Sequence, residues 1–200
     1  MRAVVLLPVK SFAAAKRRLA DVLDPSARAA LAQAMATRVL AAAAPLPAFV
    51  VCDDVVVADW AATSGAGVLW RPGLGLNGAV TDGVASLAGV GFDHVVVAHA
   101  DLPLAHDLGT VAVADTVTIV PDRRDDGTNV IAVPSRSGFR FRYGPSSAAR
   151  HREEADRLGL ACVVRRDARL AHDVDVAGDL EHPLVREVLP WQPTSPANHP

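Results

Sequence analysis

His94-Val95-Val96-Val97-Ala98-His99-Ala100-Asp101-Leu102-Pro103 is the stretch on which the reading of the fold turns. Its first five residues form a short, nearly unbroken apolar run. A strand with one wet face alternates apolar and polar residues. A continuous run of this length fits a strand buried on both faces, as in a mainly parallel sheet covered by helices. The run ends at His99 and Asp101. A carboxylate there is costly to bury unless it meets a cation or hydrogen-bond donors. In open α/β sheets, ligands bind outside the carboxyl ends of the strands. Asp101 is therefore a candidate site residue. The plain alternative is that it caps a helix starting near Pro103.

The same pattern recurs on either side. Ala3–Leu7, Phe49–Cys52, Val68–Trp70, Val117–Val120, Val130–Val133 and Ala161–Val164 read as further strands. Alanine-rich stretches between them read as helices over Ser26–Ala44, Val56–Ser64, Ala79–Leu87, Ser147–Leu158 and Val176–Val188. Asp24 is a good N-cap for the first of these and Pro25 a good first residue. Alternation of this kind predicts an α/β/α architecture. Two hundred residues, half of them hydrophobic, suit one domain. It is expected over residues 1–189. The tail, 190–200, holds four prolines in eleven residues. It is expected to be disordered, or to pack on a neighbour through Trp191.

A formal charge of −2 gives no electrostatic reason to bind a polyanion, so nucleic acid and membrane surfaces are not expected partners. No apolar run is long enough to span a bilayer. The start, Met1 to Lys10, reads as the first strand and not as a leader. Cys52 and Cys162 sit in apolar runs without metal-ligand spacing, so the plain reading is a reduced, cytoplasmic protein.

Polar clusters follow several strands. Lys10, Lys16, Arg17 and Arg18 crowd the loop after the first one, where cations could hold a triphosphate. A solvated basic loop leading into a helix is the alternative. Asp173 and Asp175 flank Val174; in an extended chain both would face one way and could approach one metal. Alternatively, Asp175 or Asp179 caps the last helix. Phe139 to His151 combines Arg140, Arg142, Arg150 and His151 with a Gly144-Pro145 turn and the pair Ser146-Ser147. The serines can cap the helix that follows, and a helix N-terminus behind a glycine turn suits a small anion. Gly127-Thr128-Asn129 reads as a turn between strands. Gly73-Leu74-Gly75-Leu76-Asn77-Gly78 is a literal GxGxxG, so an NAD(P)-binding oxidoreductase is a rival reading. Pro72 and the short preceding strand weigh against it. His99, His106 and His172 read as structural or surface residues.

Six motifs in order resemble those of the 2-phospho-L-lactate guanylyltransferase family, which includes phosphoenolpyruvate guanylyltransferases of coenzyme F-420 biosynthesis. They are Pro8-Val9-Lys10 with Ala15-Lys16-Arg17-Arg18-Leu19, Leu76-Asn77-Gly78-Ala79, Asp101-Leu102-Pro103, Asp126-Gly127-Thr128-Asn129, Phe141 to His151, and Asp173-Val174-Asp175 with Asp179-Leu180. Ala100 stands where the family more often has Gly, and Ser146 where many members do. The resemblance implies a Rossmann-like nucleotidyltransferase fold with a mixed, mostly parallel sheet. It implies transfer of GMP from GTP to a small phosphorylated carboxylic acid, phosphoenolpyruvate before 2-phospho-L-lactate. A nucleotidyltransferase with another acceptor, 3-phospho-D-glycerate or a sugar phosphate, is the alternative.

The resemblance also assigns roles. Lys10, Lys16, Arg18 and Asp101 would be catalytic. Pro8, Lys10, Lys16, Arg18, Asn77 and Ala79 would bind nucleotide. Thr128, Gly144, Ser147 and His151 would bind the acid. Asp101, Asp173 and Asp175 would hold Mg²⁺. A monomer or homodimer handing its product to a downstream transferase is expected.

Overall fold

The computed structural model describes residues 1–189; the proline-rich stretch 190–200, with Trp191, lies outside the described residues. Seven strands form one sheet: β1 (Ala3–Pro8), β2 (Ala48–Cys52), β3 (Gly67–Trp70), β4 (His94–Ala98), β5 (Thr116–Pro121), β6 (Thr128–Pro134) and β7 (Ala161–Val164). Their spatial order is β3-β2-β1-β4-β6-β5-β7. β6 is antiparallel to both β4 and β5, and every other pairing is parallel. The mixed, mostly parallel sheet expected from the sequence is what forms.

Strand alternation divides the core into two layers. Val5, Leu7, Val50, Val96 and Ala98 face α1 (Pro25–Ala41) and α2 (Val55–Thr63). Val4, Leu6, Val51, Val95 and Val97 face α3 (Gly75–Gly89) and α4 (Ser147–Arg157). Val95, Val96 and Val97 are wholly buried, as the unbroken run requires. Burial of one such side chain is worth roughly 1.5–3 kcal/mol. A third cluster lies beyond the sheet's carboxyl edge. There Leu19 and Leu23, Leu31 and Met35 of α1, and Leu104 pack with Val174, Leu180 and Val185. It pins the loop after β1 to α5 (Pro183–Val188).

Several boundaries differ from the sequence reading. Asp24 caps α1, its Oδ1 accepting the Ala27 N–H at 2.8 Å, but the helix ends at Ala41, short of Ala44. α3 starts at Gly75, well before Ala79. The last helix is two pieces, a 3-10 turn over Ala177–Glu181 and then α5. Pro183 supplies no N–H and disfavours helical backbone at His182, which has φ −59° and ψ 127°. Thr128 and Asn129 are not turn residues: both belong to β6. The turn closes one residue earlier, on Asp122. Its carboxylate accepts the N–H groups of Arg124, Asp126 and Gly127 at 2.9–3.0 Å. A Cβ at Gly127 would lie 2.8 Å from that carboxylate and would push it off its hydrogen bonds.

Candidate active site

The sheet's topology reverses between β1 and β4. β2 and β3 extend to one side of β1, and β4, β6, β5 and β7 to the other. The crevice outside the carboxyl ends of β1 and β4 is therefore the expected binding place. A cavity of about 290 Å³ opens there, lined among others by Pro8, Lys10, Lys16, Leu76, His99 and Asp101. A second, of about 620 Å³, adjoins it through Pro8, Val9, Lys10 and Leu76, and runs under β2 and α3 to Cys52, Asp53 and Ala79.

Lys16 is the electrostatic hub. Its Nζ lies 2.7 Å from Asp101 Oδ2 and 3.3 Å from Asp175 Oδ1. Its side chain is only 9% exposed. Burial opposes the charge, but the two carboxylates outweigh burial and hold the Lys16 pKa above the usual lysine value. Its φ of 53° is left-handed, a strained conformation for lysine that leads into the 3-10 turn Arg17–Leu19. Leu19, wholly buried, anchors that turn. Arg18 Nη1 stands 3.5 Å from Asp175 Oδ2, on the solvent side of the cluster.

Asp101 belongs to this cluster. Burial pushes its carboxyl upward, but Lys16, then His99, prevail and hold its pKa below the carboxylate norm. Asp101 Oδ1 is buried and accepts no hydrogen bond from the described residues. Ala100 is not at positive φ, so the alanine is accommodated without strain. The Val174 N–H donates to the Asp101 carbonyl at 3.3 Å, which brings Asp173 and Asp175 to this edge. Asp179 is the capping residue. Its Oδ2 accepts the N–H groups of Asp175 and Val176 at 2.7 and 2.9 Å, and its Oδ1 pairs with Arg123 Nη2 at 2.7 Å. Asp175 is thereby left for Lys16. Burial, and then the charge of Asp101, push the Asp173 carboxyl above its ordinary pKa.

The three carboxylates do not by themselves form a finished metal centre. Among the described residues, no cluster of three or more His, Cys, Asp and Glu is arranged to hold an ion. The donor chemistry nevertheless fits Mg²⁺, which takes one or two carboxylates together with substrate phosphates and water. The bare, buried Asp101 Oδ1 and the mutual repulsion at Asp173 are what an incoming cation would relieve.

On the far side of β4 lies a buried polar chain. The Arg142 N–H donates to His151 Nε2 at 2.9 Å. Nε2 must therefore be unprotonated, so Nδ1 carries the proton and donates it to Thr128 Oγ1, 3.0 Å away. Ser147 Oγ donates to the same hydroxyl at 3.2 Å. Thr128, Ser147 and His151 are 2%, 1% and 0% exposed. Burial, reinforced by His99 and Arg150, lowers the His151 pKa to about 4. Buried and neutral, it serves as a support and not as a proton carrier.

The expectation that Ser146-Ser147 caps α4 is corrected. Ser146 sits at φ 56° and makes no capping bond, while Ser147 turns inward. The left-handed backbone explains why glycine suits position 146. Asp126 closes the helix start instead. Its Oδ1 accepts the Ser146 N–H and hydroxyl, and its carbonyl accepts the Ala148 N–H. The simple anion nest expected at this terminus is thus partly filled by the chain itself. Gly144, at φ 121°, stays exposed at the turn.

Asn77 also does something different from the expectation. Its Oδ1 accepts the Tyr143 N–H at 2.7 Å and its Nδ2 donates to the Tyr143 carbonyl at 3.3 Å. Both arms tie α3 to the segment before α4, and Asn77 lines neither cavity. Its neighbours Leu76 and Ala79 do. Pro8 and Lys10 line both cavities. His106 pairs with Asp167, and His172 Nε2 lies 3.3 Å from the Asp179 carbonyl, as structural histidines. The GxGxxG loop follows β3, an edge strand, and not a strand at the topological reversal. A dinucleotide fingerprint needs the latter position. Asp53, not singled out from the sequence, lines the larger cavity. The available signal was its place directly after an apolar strand, like Lys10 and Asp101.

A mostly parallel α/β/α sheet with a cation–carboxylate cleft at its point of reversal suits an enzyme that handles a phosphorylated ligand, and comparison with known proteins makes that enzyme a nucleotidyltransferase. Solved structures agree on the fold. A Desulfovibrio desulfuricans G20 protein provisionally described as a nucleotide-diphospho-sugar transferase superposes with a TM-score of 0.74 at 21% identity, covering 90% of this chain and 84% of its own. CMP:2-keto-3-deoxy-manno-octonic acid synthetase, complexed with CTP, gives 0.60 at 15% identity, with 95% and 99% covered. Sequence places the chain more closely: it belongs to the family described as "Guanylyl transferase CofC like", whose model matches residues 3–186. It is 36% identical over 203 residues to a phosphoenolpyruvate guanylyltransferase of Streptomyces coelicolor, covering 95% of this chain and 93% of that protein. It is 33% identical over 190 residues to the Sphaerobacter thermophilus protein of the same name, covering 90% and 92%.

Proposed function

We propose that the protein transfers GMP from GTP to the phosphate of phosphoenolpyruvate, releasing pyrophosphate, in the biosynthesis of coenzyme F-420. 2-Phospho-L-lactate is the second choice of acceptor. The observation that carries this reading is the convergence of Lys16, Asp101 and Asp175 within 3.3 Å contacts at the sheet's reversal. The names of the relatives supply the acceptor.

The attacking phosphate oxygen is already anionic near neutral pH, so no strong base is needed. The protein has to align two anions and offset their charge. Lys10 stands where both cavities meet, suited to the triphosphate between base and reacting phosphorus. Lys16 and Arg18 bring further positive charge to the same edge. Asp101, Asp173 and Asp175 would hold Mg²⁺, which when bound supplies Lewis-acid charge stabilisation. Exposed Gly144 would face the acid, with the buried Thr128, Ser147 and His151 chain holding that turn from beneath. This chemistry belongs in the cytoplasm, with the product passed to a downstream transferase.

The test is direct. Protein, GTP and Mg²⁺ are incubated with phosphoenolpyruvate, 2-phospho-L-lactate or 3-phospho-D-glycerate in turn, and pyrophosphate is assayed. Release with phosphoenolpyruvate well above the other two is expected; equal release with none of them present overturns the reading.

A further inference from the structure

The 620 Å³ cavity is the larger of the two that meet at Lys10, and it lies away from the carboxylate cluster, under the ends of β2 and β3. It has room for a nucleoside. Its lining is mostly apolar or glycine, with Lys10, Cys52, Asp53 and Arg71 as its polar side chains. Three of these four are unsuited to accepting hydrogen bonds from a base edge. Arg71 can only donate, and three of its five N–H groups are engaged: Nη1 donates to the Trp70 carbonyl and Nη2 to Ser86 Oγ, each at 2.8 Å, and Nε pairs with Asp82. Lys10 is shared with the smaller cavity, on the phosphate side. Burial raises the Cys52 thiol pKa, so it stays a weak, neutral group.

Asp53 remains. It follows the last residue of β2 and is exposed into this cavity. It is not needed for the local fold, because its neighbour Asp54 caps α2, Oδ1 accepting the Val56 and Val57 N–H groups at 2.9 and 3.2 Å. A carboxylate is acceptor-only, with two parallel oxygens. Guanine presents two adjacent donors, N1–H and the 2-amino group, at matching spacing. Adenine presents a lone pair at N1, which a carboxylate repels. We infer that Asp53 is the base-selecting residue, its two oxygens accepting guanine N1–H and the 2-amino group. The inference rests on the guanylyl-transfer reading above and assigns its nucleotide specificity to one side chain.

The experiment measures kcat/KM for GTP, ITP and XTP with saturating phosphoenolpyruvate and Mg²⁺, on wild type, Asp53→Asn and Asp53→Ala. ITP lacks the 2-amino group; XTP has a carbonyl in its place. Wild type is expected to prefer GTP to ITP by roughly tenfold or more, the worth of one charge-assisted hydrogen bond. Asp53→Asn replaces an acceptor by a donor. It should lose roughly ten- to a hundredfold on GTP and gain on XTP, with the KM for the acid unchanged. Asp53→Ala should lose GTP without gaining XTP. An unchanged GTP-to-XTP ratio in Asp53→Asn overturns the assignment. So does a wild type that uses ITP as well as GTP, a result that needs no variant to fold. If wild type turns over no nucleotide with phosphoenolpyruvate, the acceptor reading fails separately. Thermal shifts with GTP, ITP and XTP alone then decide the Asp53 question by the same ratios.

Discussion

His151 offers a prediction whose size follows from the structure. The ring is fully buried, accepts at Nε2 from the Arg142 N–H and donates from Nδ1 to Thr128. Its folded pKa is about 4, against an ordinary value of 6.5. In the pH window between these values the unfolded chain binds a proton that the folded chain refuses. Stability is therefore complete above pH 6.5 and is lost as pH falls toward 4. From neutrality down to pH 5 the loss is about 2 kcal/mol, and by pH 4 about 3 kcal/mol. Other groups titrate over the same range, so the assay is a difference. Urea unfolding is followed at a series of pH values for wild type and for His151→Gln, whose amide can still accept from Arg142. The advantage of wild type over the variant should shrink by about 2 kcal/mol on going to pH 5. A gap that stays constant across that range refutes the claim that His151 is held neutral by burial.

Three further outcomes are expected. Asp101→Asn should cut turnover far more than it lowers the unfolding temperature, because the carboxylate meets Lys16 and is proposed to hold Mg²⁺; near-normal turnover would refute that role. Lys16→Met should destabilise the protein in chelator by about 1–3 kcal/mol, since Asp101 and Asp175 lose their shared counter-charge; equal melting of variant and wild type argues against the cluster. Ser147→Ala removes a donor to Thr128 and should raise the KM for the acid by roughly tenfold while leaving GTP almost untouched; paired titrations weakened equally would place Ser147 on the nucleotide side.

What could be read in the sequence was set by local rules. Apolar runs gave all seven strands: burial on both faces leaves no alternation in central β1 and β4, while edge strands β3 and β7 are short apolar runs that stay largely exposed. Asp24-Pro25 marked the start of α1 because cap chemistry is local. Asp101 was legible because a carboxylate at the end of Val95–Ala98 demands a partner. The partner was not legible as such: Lys16 meets Asp101 across 85 positions of chain and Asp175 across 159, a meeting only the sheet's order creates. Asn77 misled for the same reason. Its place in a motif pointed to the nucleotide, whereas its amide is consumed by the Tyr143 backbone, 66 residues on. The Ser146-Ser147 cap failed because Asp126, on a separate turn, reached the helix start first. The split of the last helix follows from Pro183, which lies inside the single helix expected over Val176–Val188.

The reversed direction of β6 has a consequence for how this molecule can vary. It places the first residue of a strand, Thr128, at the edge where the other strands end. The groups proposed to seat the acid therefore hang from one hairpin and the helix after it, fastened by Asp126 and by the Thr128–His151 pair. The crevice between β1 and β4 owes its shape to different elements. The two proposed halves of the site therefore hang from separate pieces of backbone, so a change in the hairpin-and-helix unit need not disturb the loop that carries Lys10 and Lys16.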